Sequence, residues 1–260
     1  MIDGRTLARA YLEQQQLLGG DAVILPASGT TPDSRPGAVH VSSETASLTP
    51  GALTQALPPP GLVFDPPADD LFSTDPIQRA ESTPAIAELV AACTRCRLCE
   101  SRTHTVPGEG PSDARLVVVG EGPGRTEDET GRPFVGRAGE LLTKILAAID
   151  LPREQVFICN IVKCRPPENR TPQFDEIAAC VPYLYRQLEM LKPTVILAMG
   201  STAAQTLLNS KQSLGAMREK LHRFRGIPVI VTYHPAALLR NPNWKRPTWD
   251  DVRIARRLLD

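Results

Sequence analysis

Residues 115–124 read Arg115-Leu-Val-Val-Val-Gly-Glu-Gly-Pro-Gly124, and this stretch decides the fold. A β-branched apolar run breaks abruptly into glycines, as expected of a buried strand that ends in a tight loop. Three further runs repeat the pattern: Gln155–Asn160 (QVFICN), Thr194–Met199 (TVILAM) and Ile227–Thr232 (IPVIVT). Helical stretches separate them. Glu140–Ile149 (ELLTKILAAI) carries its apolar residues at helical spacing. Thr171-Pro172 supplies an N-cap, Pro at the first helical position and acids in the first turn that follows. Pro182 inside that second helix predicts a kink just after Cys180. The alternation βαβαβαβ predicts a three-layer α/β/α sandwich around a central four-stranded parallel sheet.

Each strand runs directly into a polar or Gly/Pro-rich segment. Gly120-Glu-Gly-Pro-Gly124 follows the first, Asn160-Ile-Val-Lys-Cys164 ends the second, Gly200-Ser-Thr follows the third and His234-Pro follows the fourth. Parallel strands place all four ends along one edge, where α/β folds build their sites. The GEGPG turn lacks the last glycine of a dinucleotide fingerprint, because Arg125 stands there, and its acids repel a pyrophosphate. Glycines such as Gly122 let the backbone approach a flat ligand; a plain strand-to-helix turn is the alternative. Phe134, between Gly131 and Gly136, either fills core or stacks on a planar base. Asn160 ends a buried strand, so its carboxamide needs a partner, and an amide both donates and accepts, as an imide edge requires. His234 before Pro235 reads as structural or catalytic, and its place at a strand end favours the site.

Net charge is zero, with 29 basic and 29 acidic residues, but the balance is uneven. Residues 1–85 carry 4 Lys+Arg and 10 Asp+Glu, and residues 86–260 the remaining 25 and 19. A basic half suits a polyanionic partner. No apolar run is long enough to span a membrane, and MIDGRTLARAYLEQQQ does not read as a secretory signal. Residues 1–18 suit one short helix. Residues 19–84, rich in Pro, Ser, Thr and Asp, predict a disordered linker ahead of a folded domain over 85–260.

Six cysteines complete the pattern. Cys93-x2-Cys96 is followed, after 67 intervening residues, by Cys164-x15-Cys180, with Cys99 and Cys159 beside them. Without export, clustered cysteines read as metal or redox ligands rather than disulfides. Cys96 and Cys99 repeat the x2 spacing, so spacing alone leaves the choice of first pair open.

Three segments, in this order, resemble the type 4 uracil-DNA glycosylases, the iron–sulfur branch of the uracil-DNA glycosylase superfamily: GEGPGRTEDETGRPFVGRAGELL, CNIVKCRPPENR and YHPAALLRNP. The resemblance covers roughly residues 90–258. It implies an enzyme that flips deoxyuridine from single- or double-stranded DNA and hydrolyses its N-glycosidic bond. It also implies a [4Fe–4S] cluster on Cys93, Cys96, Cys164 and Cys180, leaving out Cys99 and Cys159. By the same resemblance Glu121 and His234 are catalytic, and Gly122, Phe134 and Asn160 hold uracil. Lys163, Arg165, Arg170 and Arg240 contact phosphates, and Leu238 or Leu239 wedges into the vacated stack. The expectation is a cytoplasmic monomer on DNA, with no partner assigned to the N-terminal extension. A non-catalytic, cluster- or zinc-stapled nucleic-acid-binding module is the competing class. It leaves Glu121, Asn160 and His234 without work. A nucleotide-binding oxidoreductase is disfavoured by the broken glycine fingerprint.

Overall fold

The computed structural model describes residues 75–260. The expected helix over 1–18 and the linker up to residue 74 lie outside the described residues. The chain opens with helices α1 (Pro76–Arg79) and α2 (Thr83–Ala91), then strand β1 (Leu116–Gly120) and helices α3 (Arg125–Thr130) and α4 (Arg137–Ala147). Strand β2 (Phe157–Asn160), helix α5 (Phe174–Leu191), strand β3 (Val195–Met199) and helices α6 (Ser201–Leu208) and α7 (Leu214–Met217) follow. The chain closes with strands β4 (Leu221–Phe224) and β5 (Ile227–Thr232) and helices α8 (Pro235–Arg240) and α9 (Lys245–Arg257). Among the described residues no helix is long and apolar enough to cross a membrane.

The four expected strands are present and parallel, in spatial order β2-β1-β3-β5. Every residue of β1, β2 and β3 is buried, which is why these strands read as unbroken apolar runs. Alternation along them feeds two cores. Val117, Val119, Ile196, Ala198, Val229 and Val231 pack with α2, α5 and α6 on one face. Leu116, Val118, Val195, Leu197 and Ile230 pack with α4 and α9 on the other. The result is the three-layer sandwich.

Two expectations need correction. The sheet has a fifth strand, β4, antiparallel to β5 at the edge. It escapes a sequence reading because only Phe224 of its four residues is buried. Its two-residue turn uses Arg225 at φ 47° and Gly226 at φ 85°, the positive angles that a tight hairpin demands. Helix α5 begins at Phe174, not at Pro172, because Glu176 accepts from the Gln173 amide at 2.7 Å and closes the first turn there. It runs on through Pro182, where the sequence places a kink.

Helix α1 and the start of α2 lie ahead of residue 85. Ile77 and Ala80 are buried in the core, and Arg186 Nε and Nη2 donate to the Ala80 carbonyl at 3.0 and 2.9 Å. Residues 75–84 are therefore part of the folded unit rather than of the expected linker.

Candidate active site and thiol cage

The register of the sheet brings the sequence motifs together. Gly120 lies beside Asn160, and Met199 beside Thr232, so the strand ends share one edge. Along that edge opens a cleft of about 790 Å³, lined among others by Glu121, Phe134, Asn160, Tyr233, His234 and Arg240. Gly122 and Arg170 also line it.

Asn160 is 1 % exposed, and its Oδ1 is buried without any hydrogen-bond partner. Leaving a buried acceptor unpaired costs about 1–3 kcal/mol, so such an atom at a cleft wall marks a place for a donor. Gly120 makes the arrangement possible. A Cβ there would stand 2.4 Å from Asn160 Oδ1 and 2.5 Å from Phe134 Cζ.

Phe134 is both buried and on the cleft wall. Its φ of 51° is left-handed, which a Phe adopts only under constraint. The constraint is visible. A Cβ at Gly139 would stand 1.8 Å from the Phe134 carbonyl oxygen, so only glycine lets helix α4 approach that carbonyl. Arg153 Nη1 donates to the same oxygen at 2.8 Å, and Arg153 is itself gripped by Glu109 at 2.6 Å. The two Arg neighbours Arg132 and Arg153 hold the Glu109 carboxyl below its usual range against the opposing pull of burial. Glu127 completes the frame: Oε1 accepts from the Val135 and Gly136 amides at 2.9 Å each, and Oε2 from the Gly124 amide at 3.2 Å. It thus staples the GEGPG turn to the Phe134 loop.

His234 caps helix α8, and its Nδ1 accepts from the Ala236 amide at 3.2 Å. An accepting Nδ1 puts the proton of the neutral ring on Nε2. Burial, with a smaller contribution from the Arg240 charge, pushes its pKa down to about 4, against an opposing pull from Glu127. The ring is therefore a neutral donor at physiological pH. It lies 5.4 Å from the Phe134 ring, centroid to centroid. Across the cleft, Thr202 Oγ1 donates to Glu121 Oε2 at 2.5 Å and fixes that carboxylate.

The expected phosphate contacts divide. Arg240 is exposed on the cleft wall. Arg165 donates to Asn169 at 2.8 Å, and Arg170 is forked onto Glu176 at 2.6 and 2.8 Å, so its charge is already matched. Lys163 does not suit a phosphate contact at all. It is 1 % exposed, and its Nζ donates to the Asn160 carbonyl at 3.0 Å and to Gln187 Oε1 at 2.7 Å. For the wedge, Leu238 is buried and Leu239 is exposed.

On the far side of Lys163 lies a cage. Cys93, Cys96, Cys99, Cys164 and Cys180 line one small space of about 10 Å³, together with Val90, Leu98 and Tyr183. Cys159 lies apart from it, buried in β2. Among the described residues no three ligands converge closely enough to hold one metal ion. Three sulfurs accept N–H groups: Cys93 from the Arg95 amide at 3.5 Å, Cys180 from the Lys163 amide at 3.2 Å and Cys164 from Arg102 Nη1 at 3.2 Å. Burial pushes the Cys180 thiol up to about 12 and raises Cys164 as well. Thiolates at such positions need positive charge from a bound metal, and donors to sulfur are what ligating thiolates attract. The donor set fits a metal–sulfur group spread over several sulfurs.

The framing roles of Glu109, Glu127, Arg153 and Thr202 are not read from the sequence. Glu127 alone had a signal, three residues after Gly124 at the start of a helix, where a carboxylate caps backbone amides.

A parallel α/β sandwich working at a cleft on the carboxyl edge of its sheet is a broad class, and comparison narrows it. Residues 107–254 match the uracil DNA glycosylase superfamily. The chain is 46% identical over 185 residues to the type-4 uracil-DNA glycosylase of Thermotoga maritima, covering 70% of this chain and 96% of the relative. It is 47% identical over 163 residues to the type-4 enzyme of Pyrobaculum aerophilum, covering 60% and 83% respectively. A type-5 uracil-DNA glycosylase of the same organism is 31% identical over 150 residues, covering 51% and 66%. The chain belongs to the uracil DNA glycosylase superfamily, on the side of its type-4 members.

Proposed function

We propose that this chain removes uracil from DNA by hydrolysing the N-glycosidic bond, leaving an abasic sugar. The observation that carries the reading is the orphaned Asn160 Oδ1 at the wall of the cleft. Uracil answers it: its N3–H is the missing donor, and its O4 takes the carboxamide N–H. Cytosine reverses both polarities and is rejected.

The bond is inaccessible within the stack, so the nucleotide must swing out, at a cost of a few kcal/mol. Phe134, held in its strained conformation by Gly139 and Arg153, stacks on the extruded base. As the bond lengthens, negative charge grows on uracil and positive charge on the sugar. His234 answers the first with its Nε2–H aimed at a uracil carbonyl, and one such donor is worth about 3–4 kcal/mol in comparable sites. The neutral ring accepts at Nδ1 from the Ala236 amide and so keeps its one proton on Nε2, ready to donate. Glu121, fixed by Thr202, answers the second by orienting a water and opposing the sugar cation. Arg240 meets the phosphates, and Leu239 enters the gap left in the stack.

The thiol cage would hold a [4Fe–4S] cluster on Cys93, Cys96, Cys164 and Cys180. When bound it supplies iron–thiolate bonds that tie α2, the end of β2 and α5 together. Hydrolysis itself calls for no electron. Cys99 shares the cage wall, and its exclusion rests on likeness to the type-4 pattern.

Labelled uracil-containing single- and double-stranded DNA, incubated with the protein and then treated with alkali, tests this reading. Strand scission at the uracil position is expected in both. Intact DNA that the protein nevertheless binds would favour a non-catalytic binding module instead.

A further inference from the structure

At the mouth of the cleft three side chains form a column. The Arg218 guanidinium lies 4.4 Å from the centroid of the Tyr233 ring. The Tyr233 and Trp244 rings stack at 4.7 Å with only 4° between their planes. Arg218 cannot drift. It is buried, its Nε donates to Asp251 Oδ2 at 2.7 Å and its Nη2 donates to the Pro247 carbonyl at 3.0 Å. Asp251 is fully buried and also accepts from Thr232 Oγ1 at 2.7 Å. At the other end, Thr248 Oγ1 donates to the Trp244 carbonyl at 2.8 Å. So a buried ion pair backs a tyrosine, and the tyrosine backs a tryptophan.

The column ends in open space. Trp244 is 37 % exposed although Tyr233 covers one face of its ring, and both rings line the cleft. An exposed indole on a surface turn ordinarily has nothing to hold it flat. This one is pre-set, so a second planar group can stack on it with little further loss of freedom. Tyr233 directly precedes His234, so the column adjoins the residues assigned to uracil on the wall of the same cleft. Arg240, exposed on the same cleft, and exposed Lys245, next to Trp244 in sequence, suit a phosphate backbone.

We propose that Trp244 is a stacking platform for the nucleobase next to the flipped uridine, a subsite for an unstacked base of the DNA strand; this rests on the uracil-excising reading above. Extruding uridine strips its neighbour of a stacking partner, and the indole takes that place. Aromatic platforms of this kind accept any base, because every base has a π-face. The subsite therefore strengthens binding of single-stranded or locally opened DNA without adding sequence preference.

The test compares wild type, W244A and W244F on two single-stranded uracil oligonucleotides. One has ordinary neighbours; in the other both nucleotides flanking uracil carry tetrahydrofuran in place of a nucleoside. W244A is expected to lower kcat/KM about tenfold on the first, equivalent to about 1.4 kcal/mol and within the range of one base–aromatic stack. On the second it should change less than twofold, and W244F should stay near wild type on both. An equal loss on both substrates, or none on either, overturns the platform. The chain has two tryptophans, so W249F leaves Trp244 as the sole reporter. Its fluorescence should be quenched by the ordinary oligonucleotide and not by the one lacking flanking bases; equal quenching, or none, also overturns it. Should wild type release no uracil from either oligonucleotide, the excision reading fails, while quenching still decides the platform.

Discussion

Lys163 Nζ donates to the Asn160 carbonyl at 3.0 Å while the Lys163 amide donates to Cys180 Sγ at 3.2 Å, so one residue touches both the strand end that carries Asn160 and the thiol cage. Lys163→Met keeps the length and removes the donor, leaving the Asn160 carbonyl and Gln187 Oε1 short of a buried partner. A loss of about 1–3 kcal/mol of stability is expected, with uracil excision falling further than stability alone explains. Chemical denaturation alongside single-turnover excision checks this. Unchanged excision in a destabilised protein would make Lys163 a core residue only.

The low pKa of His234 gives a pH signature. Its folded value of about 4 lies below the ordinary 6.5, so between those values the unfolded chain binds more protons than the folded one. The contribution to stability is whole above pH 6.5, shrinks as pH falls and is lost by about pH 4. Its full size is about 3 kcal/mol. Denaturation of wild type and His234→Gln at several pH values should show the stability difference between them changing across that window alone. Excision by wild type should show no inflection from this group between pH 5 and 8. His234→Gln should lose about 10²–10³-fold in rate if the donor is misplaced.

The thiol cage makes a different kind of prediction. Cys164→Ala and Cys180→Ala should abolish the visible absorption and iron content of the purified protein, whereas Cys99→Ala and Cys159→Ala should retain both. Iron lost from Cys99→Ala and kept in Cys93→Ala would reassign the first pair to Cys96 and Cys99.

The start of the folded unit can be measured. A chain beginning at Asp75 should melt as the full-length protein does and excise uracil from short DNA equally well. One beginning at residue 85 loses the buried Ile77 and the Ala80 carbonyl that Arg186 grips, and should lose about 2 kcal/mol or more. Equal melting of the two would show that residues 75–84 add nothing.

Much of the fold was legible because each central strand is buried on both faces and so reads as an apolar run. Strand β4 was not, since an edge strand with one buried side chain resembles a loop. Glu121, Asn160 and His234 stood out because polar residues at the ends of buried strands call for a purpose. Lys163 was misread for a related reason: a lysine in a polar motif looks solvated until the fold covers it. The frame around Phe134 was out of reach. Glu109 and Arg153 are 44 residues apart in sequence, and no local pattern links a carboxylate to a guanidinium at that distance.

The central claim is that the Asn160 carboxamide reads uracil, and Asn160→Asp tests it most directly. The change keeps size but replaces the amide donor with a second acceptor facing O4. Sites that recognise a hydrogen-bonding pattern discriminate by about 10⁴-fold or more when polar groups are left unpaired. Single-turnover excision on matched uracil and cytosine duplexes should show uracil release falling by about that factor, with DNA affinity little changed and a trace of cytosine release appearing. Near wild-type uracil release by Asn160→Asp would contradict the account and leave the cleft without its specificity element.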